Sequence, residues 1–295
     1  MDLAVLFEVL SIGLTMGALY ALIAVGLNLI YGTMRLLNIA HGELIMMGAY
    51  LTYSLFTRMG VSPLLSIFAV MLVSLVFGLL VCAGIFLPLV KESKSVGSLE
   101  STSLLVFFGI SIILSNAACL VWSADIRGYS YLTKMVTIAG VSIMYNKVVA
   151  FGIALFVCVG CYLLLQKTML GKAVRALIQD REAAQLMGIN TSAIYFFSFG
   201  AGFAMAGLAG CLLSMFYEIT PFIGMPYTII AFIVVVLGGL GNLFGSLVGG
   251  FLLGLLEAIG VSVTSPGYRP ILSYAVFMLV ILLRPEGLFT RRKRV

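Results

Sequence analysis

Apolar positions along this chain fall into long unbroken runs, not the short alternating or one-sided patterns of soluble strands and helices. A helix needs about 20 such residues to cross a bilayer. Runs of that order lie at roughly 9–30, 36–57, 63–90, 102–122, 147–166, 192–217, 226–240, 244–264 and 269–284. Two stand apart. The 36–57 run contains Asn38, His41, Gly42 and Glu43, and 226–240 reaches Gly238-Gly239-Leu240-Gly241-Asn242 after too few apolar residues for an upright span. The pattern predicts an all-α fold, a polytopic membrane helix bundle of eight or nine spans with Gly-broken segments, forming one transmembrane domain over residues 1–295.

Composition removes the alternatives. Hydrophobic residues make up 62% of the chain and charged ones 9%, against roughly 25% charged in soluble domains. So few charges cannot cover a soluble surface, and disorder requires the opposite bias. Histidine occurs once, which argues against a His-built metal centre or proton relay. Cys158 and Cys161 form a C-x-x-C, but they sit inside the apolar Phe151–Leu165 segment and read as small membrane-helix residues. No G-x-x-x-x-G-K-[ST] occurs, so no P-loop is expected here. Asp2 and Glu8 stand where a signal peptide would be basic, so the first run is expected to remain as a span.

The net charge of +6 would suit nucleic acid, but its placement suits a membrane. Lys167, Lys172, Arg175 and Arg181 cluster between two runs, and Arg291, Arg292, Lys293 and Arg294 close the chain. Both clusters are expected in the cytoplasm. Arg35 and the loop around Lys91 and Lys94 then fall on the same side, with the N-terminus and 123–146 outside. Nine spans satisfy these with one parity. Gly202, Ala206 and Gly210, and the pairs Gly245/Gly249 and Gly250/Gly254, put small residues one turn apart for close helix packing.

Polar groups within the spans mark candidate function. The densest set is Asn38-Ile39-Ala40-His41-Gly42-Glu43, preceded by Asn28 and Tyr31. In a regular helix Asn38 and His41 would share a face and Glu43 would point away. Either Glu43 lies near the interface or the segment breaks at Gly42. Broken backbone is tolerated at membrane depth only against protein or a water-filled path. Gly238, Gly239 and Gly241 form a second expected break, and paired breaks point to a translocation path or gate. The plainer reading is that His41 and Glu43 cap an interfacial helix end. No charged clamp for a zwitterion is evident in the spans, so a tight internal substrate site is not required.

Residues 167–191 carry a different signal. Asp180 suits an N-cap, Glu182 a first turn and Gly188 a helix stop, which predicts a helix of about two turns, roughly 10 Å long. A helix that short needs a surface to dock on.

Arg181-Glu182-Ala183-Ala184, with Gly188 following, resembles the E-A-A…G coupling loop of ABC-importer permeases. Together with Leu27-Asn28-Leu29-Ile30-Tyr31-Gly32, Asn38-Ile39-Ala40-His41-Gly42-Glu43 and Gly238-Gly239-Leu240-Gly241-Asn242, it is similar to the LivH-type permeases for branched-chain amino acids. The resemblance implies a single permease domain of the bacterial inner membrane with a cytoplasmic C-terminus. It further implies pairing with a LivM-like permease, two ABC ATPase subunits and a periplasmic substrate-binding protein. This chain would be no enzyme and would bind no cofactor, ATP being used by the partner subunits. A urea or short-chain amide ABC permease shares these motifs, and a self-sufficient channel or secondary transporter would leave the 167–191 loop without purpose.

Overall fold

The computed structural model describes residues 3–92, 95–138, 141–284 and 287–289. Lys94 and the basic tail Arg291, Arg292, Lys293 and Arg294, used above to orient the chain, lie outside the described residues. The elements run α1 (Leu3–Met34), α2 (His41–Met59), α3 (Pro63–Val81), a π turn over Cys82–Phe86, α4 (Leu87–Glu92), α5 (Val96–Trp122), β1 (Met135–Ile138), β2 (Val141–Met144) and α6 (Tyr145–Lys167). They continue with α7 (Met169–Gln179), α8 (Arg181–Leu186), α9 (Thr191–Leu213), α10 (Gly224–Gly238), α11 (Leu243–Val263), a short 3-10 turn (Pro266–Tyr268) and α12 (Arg269–Leu283).

Seven described segments are long and apolar enough to cross a membrane: Val5–Met34, Pro63–Glu92, Val96–Trp122, Tyr145–Lys167, Thr191–Leu213, Leu243–Val263 and Pro266–Leu283. Each matches one of the expected runs. The two runs that stood apart correspond to α2, of 19 residues, and α10, of only 15. Both follow irregular chain: residues 35–40 lead into α2 and residues 214–223 lead into α10.

α1 and α9 are mostly buried, whereas α5 and α12 are mostly exposed. α1 packs chiefly on α11 and α9, while α9 also packs on α2 and α3. The small residues make these approaches possible. A Cβ on Gly250 or Gly254 would run into the α1 backbone at Ala21 and Gly17, and one on Gly210 into the carbonyl of Ile45. In lipid, where apolar surface gains little by being buried, such close packing is what holds helices together. The π turn has a local cause in packing: it carries Phe86, stacked on Phe107 at 4.2 Å between ring centroids and tilted against Phe199.

The two ends of the bundle differ. At one, residues 123–138 and 141–144 form a cap with the antiparallel β1–β2 pair, Met135 opposite Met144, and Arg127 bridges to Ile219. Four-residue strands between long apolar runs leave little trace in hydropathy, and the hairpin was not expected. At the other end lie α7 and α8. The 167–191 loop thus holds two helices where one was expected. α7 buries Gly171, Val174 and Leu177 along one stripe and exposes Lys172 and Gln179, an amphipathic surface helix.

Candidate functional site

The central site is the place where two helix starts meet. α1 ends at Met34, and Arg35 takes a left-handed conformation (φ 56°) with its guanidinium over the Tyr31 ring. The chain then turns back into the bundle as irregular structure with Leu36, Asn38 and Ala40 buried. α2 begins at His41. The His41 imidazole is fully buried and its Nε2 lies 3.1 Å from the Ile23 carbonyl, near the middle of α1. A carbonyl only accepts, so Nε2 carries the proton and Nδ1 presents a lone pair. That Nδ1 has no partner among the described residues.

Gly42 and Thr228 join α2 to α10. The Gly42 amide donates to Thr228 Oγ1 (2.9 Å), and that hydroxyl reaches the Ile39 carbonyl (3.0 Å). A side chain on Gly42 would strike the Gly224 carbonyl and the Thr228 hydroxyl. Glu43, 3% exposed, accepts from Ser111 Oγ at 3.2 Å, and its carboxylate packs where a Cβ on Gly224 would sit. The carboxylate therefore lies in the first turn of α2 and against the first turn of α10. Both helix dipoles favour negative charge there. Its Oε2 and both polar atoms of the Asn38 carboxamide are buried without a hydrogen-bond partner among the described residues. Buried polar atoms without partners are costly.

One expectation changes here. Asn38 and His41 do not share a helical face, because Asn38 precedes the helix and the break ends at Ala40, before Gly42. The helix does break after Gly238: Gly239 and Gly241, at φ 97° and 80°, make the turn from α10 to α11 at the α7–α8 end, where Ile178 lies beside Gly241. Irregular chain also precedes the opposite end of α10. The 226–240 run is short because irregular residues 214–223 replace helix over the rest of the segment. Tyr129 helps hold that leg. Its hydroxyl is 2.8 Å from Ser214 Oγ, which already donates to the Cys211 carbonyl, so the tyrosine is the donor. Burial raises its phenol well above the ordinary range, keeping that proton in place.

Asn28 serves the glycine turn. Its Oδ1 accepts from the Gly241 amide at 2.7 Å, and its Nδ2 faces Ser246 Oγ (2.7 Å), the Asn242 carbonyl (3.1 Å) and the Gly239 carbonyl (3.3 Å). One buried amide thus pins α1 to the start of α11. Asn28→Leu strands several of these groups and is expected to lower stability by roughly 2–4 kcal/mol. Thermal unfolding in detergent, followed by the fluorescence of Trp122, the sole tryptophan, checks this. An unchanged Tm would show the amide to be structurally idle.

At the α7–α8 end, Asp180 closes α7 and opens α8: its Oδ1 accepts from the amides of Glu182 (2.9 Å) and Ala183 (3.0 Å). Gly188, at φ 79°, ends the unit. The expected short helix is present. Arg181 stacks over the Tyr195 ring and Ala184 is buried, anchoring α8 to the bundle. Glu182 and Gln185 face outward, and Leu186 and Met187 are 89% and 82% exposed. Asp180, Arg181, Glu182 and Gln185 border a groove of about 620 Å³ lined also by Lys91, Ser95 and Leu99.

At the hairpin end, an apolar cavity of about 560 Å³ lies among α1, α10, α11 and α12. Glu257, 2% exposed, sits in its wall. It accepts from Tyr20 Oη at 2.8 Å and from the Ser273 hydroxyl, and Arg269 Nε approaches at 3.8 Å. No charged clamp for a zwitterion was evident from the sequence; the structure brings the opposite charges of Glu257 and Arg269 together. Glu257 and Arg269 belong to different spans, and the detectable signal was a lone acid inside the otherwise apolar 244–264 run. No group of three or more potential metal-binding side chains occurs among the described residues.

The family model for the permease component of branched-chain amino acid transport systems matches residues 9–283. This chain belongs to that permease family. It is 34% identical over 290 residues to the high-affinity branched-chain amino acid transport system permease protein BraD of Pseudomonas aeruginosa, covering 95% of this chain and 94% of that one. It is 32% identical over 299 residues to the permease protein LivH of Escherichia coli K12, again covering 95% and 94%. The probable LivH permease of the archaeon Methanocaldococcus jannaschii is 29% identical over 281 residues, covering 92% and 88%. No solved structure gives a significant match. The permease is thus a transport component and not an enzyme.

Proposed function

We propose that this chain is a permease subunit of an ATP-driven importer for leucine, isoleucine and valine in the bacterial inner membrane, with its C-terminus in the cytoplasm. The observation that carries the reading is α8: a rigidly capped helix anchored by Ala184 and Arg181 but presenting Leu186 and Met187 almost wholly exposed. Apolar side chains so placed mark a docking surface. A separate ATPase binds there, so ATP is consumed by partner subunits and this chain binds no cofactor. A LivM-like permease completes the path, two ATPases drive it, and a periplasmic binding protein delivers substrate at the hairpin end.

The junction of α2 and α10 is the gate. Asn38, His41, Gly42 and Glu43 line it, and the unpaired Asn38 and Glu43 atoms gain partners as it opens. Asn28 with Gly238, Gly239 and Gly241 forms the pinned turn through which movement at α7–α8 reaches α10, because Gly241 lies beside Ile178 of α7. Co-purification from a tagged copy, followed by uptake of labelled leucine, isoleucine, valine and urea into proteoliposomes, tests this. ATP-dependent uptake of the three amino acids is the expected result. Urea uptake alone would replace the substrate assignment, and transport by the chain without ATPases would overturn the coupling.

A further inference from the structure

We propose that the cavity at the hairpin end is an acceptance site for a zwitterionic amino acid with an aliphatic side chain, in which Arg269 takes the carboxylate and Glu257 the ammonium group. The assignment rests on the branched-chain reading above and adds a place and two residues to it.

The cavity has the size and character of a small-molecule site, which spans roughly 300–1,000 Å³ and is mainly apolar with a few converging polar groups. Met16, Leu213, Ile219, Ile223 and Ile230 supply the apolar wall, and Tyr20, Tyr217, Tyr227, Glu257, Arg269 and Ser273 the polar side. A charged pair inside a membrane segment is expensive unless it is used or fully paired. This pair is not fully paired. At 3.8 Å, Arg269 Nε and Glu257 Oε2 form an ion pair without a hydrogen bond. The Nε is buried and has no hydrogen-bond partner among the described residues, while another guanidinium nitrogen reaches Tyr217 Oη at 3.2 Å.

The arginine thus keeps donors in a planar fork that matches a carboxylate. Each Glu257 oxygen accepts one hydroxyl, from Tyr20 or Ser273, and retains capacity for an ammonium donor. A zwitterion entering between them would convert one imperfect contact into two charge-assisted ones, and its aliphatic part would lie on the isoleucine wall. Ser273 and Tyr20 fix the carboxylate rotamer for this purpose.

The floor of the cavity gives the site its position on the route. Ile223, Pro226 and Tyr227, from the start of α10, line it. Gly224, between them, packs on the Glu43 carboxylate. One helical turn therefore separates the cavity from the Asn38–His41–Glu43 cluster. Displacing that turn joins the two.

The test uses the assembled transporter in proteoliposomes, with uptake of leucine, isoleucine and valine measured against concentration. Glu257→Gln and Arg269→Gln should each raise the KM for leucine about tenfold to a hundredfold, the cost of losing one charge-assisted contact, with the maximal rate far less affected. Leucinamide, which lacks the carboxylate, should compete with leucine poorly in the unmodified protein, and Arg269→Gln should abolish that preference. A purely structural pair would not move the preference. Should a charge variant fail to reach the membrane, Ile223→Trp, which fills the cavity without touching the charges, decides by raising the KM for leucine. Unchanged KM values in variants of a transporter that takes up leucine overturn the cavity assignment alone. Failure of the unmodified transporter to move any of the three amino acids overturns the branched-chain reading first.

Discussion

Gly42→Val should abolish uptake and loosen the bundle, whereas Gly152→Ala should do neither. The Gly42 amide is hydrogen bonded to Thr228, and a Cβ there would overlap the Gly224 carbonyl and the Thr228 hydroxyl. The obstruction is backbone, so no rotamer change relieves it. α10 has to withdraw, which breaks the Gly42–Thr228 and Thr228–Ile39 bonds and pulls Gly224 away from Glu43. Overpacking costs about 1–3 kcal/mol and each buried group left unpaired a further ~1–3 kcal/mol. A total of roughly 3 kcal/mol or more shifts the closed arrangement by over a hundredfold. Gly152 lies on α6 with nothing within 4 Å of the added atom, so alanine there is tolerated. Uptake measured alongside Trp122 fluorescence reports both effects, because Trp122 stacks on Tyr50 of α2 at 4.8 Å between centroids. Normal uptake in Gly42→Val would show that α2 and α10 do not need this close approach.

Glu182→Lys and Leu186→Asp should each abolish uptake with the bundle intact. Neither side chain makes a hydrogen bond or ion pair among the described residues, and both face outward from α8. The fold therefore does not depend on them. On the proposed docking at α8 a partner does: the loss of one central interface side chain costs about 2 kcal/mol or more, roughly thirtyfold in affinity. The expected picture is an unchanged Tm in detergent, correct membrane insertion, ATPases that no longer co-purify or no longer respond to substrate, and uptake at background. Uptake at the unmodified level in both variants would remove α8 as the contact.

These expectations show where reading the chain succeeds. Apolar density suffices to find the long helices, since a lipid-crossing helix has little freedom in length or composition. It also singles out α2 and α10, the two that differ. What it does not reveal is the irregular chain that precedes α10, in addition to the glycine turn that ends it. Residues 214–223 and 35–40 are partly buried and held by scattered partners such as Tyr129, Asn146 and Thr228. Those partners lie far away in the sequence. The same reason hides the Glu257 cluster, whose members Tyr20 and Glu257 stand 237 residues apart. The Asp180–Gly188 helix is legible because capping is local. The Asn38–Glu43 cluster is legible as a set of residues, but not as a geometry, because each side chain answers to a different neighbouring helix.

The burial of α1 sets a problem for biogenesis. α1 is made before its main neighbours, α9 and α11, yet becomes the middle of the bundle. At roughly 5–20 residues per second, α1 waits on the order of ten seconds or more before α11 exists. During that time the Asn28 amide has none of the Gly241, Asn242 and Ser246 groups that later satisfy it. The nascent protein must shelter this segment at the insertion machinery or in a provisional helix pair until α11 has been made. Truncated chains ending before α11 should accordingly be the ones that quality-control proteases remove.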